Sequence, residues 1–86
     1  AYTLFFWSNE GIPLEPVHVH VAVKSPSRNS TKIWITRDLK TVIANNNSDI
    51  PSNDLSNIRI LIEMRVFEII EKWKEYFRTS EVKFYC

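Results

Sequence analysis

Between Asn53 and Arg78 the chain runs for twenty-six residues without a glycine or proline. A helix of that length spans about 39 Å, whereas a seven-residue strand spans about 24 Å. Such a helix has to bend into two pieces or overhang whatever sheet it covers. Residues placed at 100° intervals gather Leu55, Ile58, Ile62, Val66, Ile69, Trp73, Tyr76 and Phe77 into one apolar stripe, the pattern of a helix lying on a core. Arg59 interrupts that stripe and is expected to snorkel to its edge. A second stripe, Ile60, Met64 and Phe67, points nearly opposite to the first. One sheet cannot cover both, so the second stripe calls for a partner chain or for cover by the N-terminal segment or the tail "EVKFYC".

The preceding half reads as strands. "YTLFFWS" (2–8) is aromatic-rich and "NEGIPLEP" after it is loop chemistry. In "PVHVHVAV" (16–23) the side chains alternate between faces, so Val17, Val19, Val21 and Val23 form one row and His18, His20 and Ala22 the other, continued by Lys24. "SPSRNS" turns the chain into "TKIWITR", where Ile33 and Ile35 oppose Lys32, Trp34 and Thr36, and "KTVIA" adds a short fourth run. Ser52 is the expected N-cap of the helix. These elements predict an α+β fold in a single domain, 1–86. A three- to four-stranded antiparallel sheet (about 2–44) packs its valine row against one long C-terminal helix (about 53–78), followed by a short tail (79–86). The opposite sheet face should show His18, His20 and Trp34.

With 44% hydrophobic and 13% aromatic residues, the chain is too apolar for disorder. Its net charge of +1 supplies no global field for nucleic acid or membrane. Locally, however, Lys24, Arg28, Lys32, Arg37 and Lys40 face only Asp38 between positions 24 and 40. No apolar run reaches the roughly 20 residues of a membrane helix. Cys86 is the single cysteine, which excludes an internal disulfide and suits a reducing, cytoplasmic setting. "AYTLFFWS" lacks the basic start of a signal peptide and reads as a strand entered midway.

The order "YTLFFWSNEG", proline before "HVHV", "KIWI", and "LSNI…EKWKEYF" resembles the small bacterial proteins classed as domain of unknown function 4160, over residues 2–77. The chain departs from that pattern at Val17, which stands where the family has a second proline. The resemblance implies a cytoplasmic bacterial protein, encoded beside another small domain and suspected of belonging to a toxin–antitoxin pair. It names no reaction.

Several residues could carry chemistry. Two imidazoles on one strand face, Cα atoms roughly 6.7 Å apart, can share acid and base roles in a metal-independent, ribonuclease-like transphosphorylation. Lys24 would then stabilise phosphate charge, and Lys32, Trp34 and Arg28 would contact nucleic acid. Glu10 would orient an imidazole. The pair lacks the third ligand that zinc requires, so no metal or other cofactor is expected; Glu10, Asp38 or Cys86 would have to arrive through folding. Ala22 at the third position of the His-x-His-x-Ala row removes the nucleophile of histidine-triad nucleotide hydrolases. The simpler alternative leaves His18 and His20 hydrogen-bonding locally on a partly exposed sheet face. Two functional readings result. One is a toxin acting on RNA and silenced by a small antitoxin-like partner. The other is a non-catalytic interaction module whose Ile60, Met64 and Phe67 bind a small partner protein or a second copy.

Overall fold

The computed structural model describes residues 1–8 and 14–86. Four strands, β1 (Thr3–Phe5), β2 (His18–Ala22), β3 (Thr31–Ile35) and β4 (Thr41–Asn45), precede two helices, α1 (Ser52–Met64) and α2 (Val66–Phe77). The sheet order is β1-β2-β3-β4 and every neighbouring pair is antiparallel. The expected α+β architecture is therefore the observed one.

The helical run bends rather than overhanging. Arg65, at φ −112° and ψ 23°, separates α1 from α2. The bend is local, because the Arg65 N–H still reaches the Leu61 carbonyl (3.1 Å) and the Ile69 N–H reaches that of Arg65 (3.0 Å). It keeps Ile62 and Val66 on either side of it buried, together with Leu55, Ile58, Ile70 and Trp73. These meet Val17, Val19, Val21, Ile33 and Ile35 in one core. Val23 does not continue the valine row: it is exposed past the end of β2, where the hairpin has begun. Pro51 rather than Ser52 occupies the N-cap, with φ −55° and ψ 146°, and its carbonyl accepts the Leu55 N–H at 2.9 Å. Proline's fixed φ suits a chain about to enter a helix, and its missing N–H costs nothing there. The first turn is tied to the sheet instead by the Tyr2 hydroxyl, which donates to Asp54 Oδ2 at 2.5 Å.

Arg59 does not snorkel. Its Nε donates to Thr41 Oγ1 and its Nη2 to the Thr41 carbonyl, each at 3.0 Å, while Glu63 accepts both the Thr41 N–H (3.0 Å) and hydroxyl (2.7 Å). One i, i+4 pair thus fastens α1 to the start of β4.

Both ends of the central β2–β3 ladder are closed by other parts of the chain. At one end Ser48 Oγ accepts the Thr31 N–H and donates to the Val21 carbonyl, both at 3.0 Å, bridging two residues that sit opposite each other in register. At the other end Ile35 N–H donates to the Val17 carbonyl, and the tail supplies the remaining partners. The Lys83 carbonyl accepts the Val17 N–H (2.8 Å), and the Tyr85 N–H donates to the Ile35 carbonyl (3.2 Å). Val82 and Phe84 pack against the core as the tail crosses.

Candidate functional site

The histidine face is buried. His18 and His20 are 0% and 1% exposed, which corrects the expected partly open surface. The reason lies in what folds over it. β1 aligns Phe5 with His20, and the two rings stack at 5.4 Å. His18 packs edge-on to His20 (5.1 Å), Trp34 (5.2 Å) and Trp73 (5.1 Å). Trp34 is in turn covered by Tyr85, its ring parallel at 5.0 Å. Each imidazole donates from Nδ1 to a backbone carbonyl, His18 to Pro16 at 2.9 Å and His20 to Ser30 at 3.3 Å. A carbonyl can only accept, so these bonds place the Nδ1 protons.

The basic and aromatic residues expected beside the histidines divide into two groups. Lys32 shares the face, lying 4.3 Å above the Trp34 ring and pairing with Glu15 at 2.8 Å. Lys24 and Arg28 belong to the exposed β2–β3 hairpin beyond the strand ends. Lys24 lines an open depression of about 390 Å³ with Ser25, Ser27, Asn29 and Ser48. Glu10 lies outside the described residues. Among the described residues no three His, Cys, Asp or Glu side chains gather as a metal site. Nor is any helix long and apolar enough to cross a membrane.

The second helical stripe is open. Ile60 is 56% exposed, Met64 77% and Phe67 71%, and Leu61 joins them at 43%. The tail goes to the sheet end and Trp34 instead of covering this stripe. Leu61 was missed at the sequence level because the i, i+4, i+7 spacing skips it; its place three residues before Met64 is the signal that finds it. Glu15 and Tyr85 were also missed. Their contacts cross loops and a tail whose path no periodicity encodes.

An antiparallel four-stranded sheet with a bent C-terminal helix packed on it defines the architectural class. A family model described as Domain of unknown function (DUF4160) matches residues 1–74, and the chain belongs to that family. No curated protein and no solved structure matches it.

Proposed function

We propose that this protein is a non-catalytic interaction module whose binding surface is the outer face of α1 and α2. The observation that carries the reading is the contiguous exposure of Ile60, Leu61, Met64 and Phe67 along two helical turns. Scattered exposed apolar residues are ordinary, but a continuous stripe on a small domain marks a contact surface. An acid–base pair has to touch its substrate, and both imidazoles are buried, His20 against Phe5 and His18 against Trp34 and Trp73, so the RNA-directed toxin reading ranks second. The suspected toxin–antitoxin context fits the interaction reading through a partner protein rather than through a reaction.

The test is the native size of the tagged full chain in a clarified bacterial lysate, beside an Ile60→Ser/Phe67→Ser variant. The unaltered chain should elute well above its 10.2 kDa mass and the variant should shift toward monomer. Equal elution of the two would overturn the reading.

A further inference from the structure

Resting on that reading, we infer that the occupant of the α1–α2 face is a second copy of this chain, bound antiparallel about a two-fold axis at Met64. The hydrogen bonds through Arg65 keep the helical phase across the bend. At 100° per residue Asn57, Ile60, Leu61, Met64, Phe67, Glu68 and Glu71 therefore lie on one side, within about 60° of Met64. Their arrangement about Met64 is self-complementary. A two-fold axis there sets Met64 against Met64 and brings Phe67 of each copy beside Ile60 of the other. Leu61 meets the methylenes of Glu68. Asn57, two turns before the centre, faces Glu71, two turns after it, so at both ends an amide donor meets a carboxylate that also pairs with Lys74 Nζ of its own helix at 3.2 Å. A parallel pairing would instead set Glu71 against Glu71. An isologous contact needs this same-patch complementarity. Ile60, Met64 and Phe67 are each more than half exposed, a continuous apolar stripe of the kind that marks a contact surface.

Sedimentation equilibrium of the purified full chain, from low micromolar to near millimolar, tests this. A monomer–dimer equilibrium is expected, and Met64→Glu/Phe67→Glu should remain monomeric throughout. Asn57→Asp places carboxylates opposite each other and should weaken the dimer about three- to fivefold. Adding Glu71→Asn to that variant should restore it, a rescue only the antiparallel register provides. Circular dichroism checks that each variant keeps its fold. A purified chain that stays monomeric overturns the second copy. If the lysate complex of the preceding section persists in that case, the face binds another protein and only this inference fails. Dimerisation without the Asn57/Glu71 rescue overturns the register.

Discussion

His18 touches His20, Trp34 and Trp73 and donates to the Pro16 carbonyl, so it fills space and satisfies a backbone acceptor at once. Its truncation should behave as a core deletion. His18→Ala is expected to cost about 2–4 kcal/mol in chemical denaturation, from the lost ring volume and the abandoned carbonyl. Lys24→Ala, on the exposed hairpin, should stay within about 0.5 kcal/mol of the unaltered chain. The alternation of "HVHV" placed both histidines on one face from the sequence alone. What it did not reveal was the cover, because Phe5, Trp73 and Tyr85 come from three distant segments. A second residue-scale expectation concerns Tyr2. Its hydrogen bond to Asp54, then the desolvation of its hydroxyl and the negative charge of that carboxylate, raise the phenol above its ordinary pKa of 10.0. The proton is thus held more tightly in the folded chain. The contribution is fully present below the ordinary pKa and is lost as pH rises through the raised value. Ultraviolet titration should show one tyrosine ionising late, and Asp54→Asn should bring it down. No change on that substitution would contradict the contact.

At the scale of elements, the length mismatch between a twenty-six-residue helical run and short strands already implied a bend or an overhang. The choice of Arg65 as the bend was not legible, since arginine is a good helix former and Ile62 and Val66, one turn apart, would share a face in a straight helix as well. The end of α2 was closer to hand. Arg78 takes the left-handed conformation at φ 52°, and the Thr79 N–H returns to the Lys74 carbonyl at 3.0 Å. This turn favours glycine. Arg78→Gly should therefore stabilise the protein by roughly 0.5–1 kcal/mol, and thermal unfolding should report a midpoint several degrees higher. Ser48 makes the opposite case. It sits in a polar loop that reads as mere connection, yet its hydroxyl bridges Thr31 and Val21. Ser48→Ala removes that bridge from two partly enclosed backbone groups and should cost about 1–3 kcal/mol, measured by the same denaturation.

Across the whole molecule, the fold places its two distinctive surfaces in opposite circumstances. The histidine–tryptophan face, prominent in the sequence, is enclosed by a strand, a helix and the tail. The Ile60–Phe67 stripe, visible only once the helical phase is counted, is left open. Burial of a polar face depends on distant segments, whereas exposure of a second stripe follows from one helix meeting one sheet, so the latter was the easier to anticipate. The function proposed for this protein rests on the open helical face. Its most direct test replaces Met64, and separately Lys24, with a photo-crosslinking phenylalanine analogue in the full chain and irradiates living cells. A discrete protein adduct is expected from position 64 and none from position 24. An adduct from position 24 alone, or RNA carried by it, would overturn a role for the helical face and return the hairpin and histidine face to the centre.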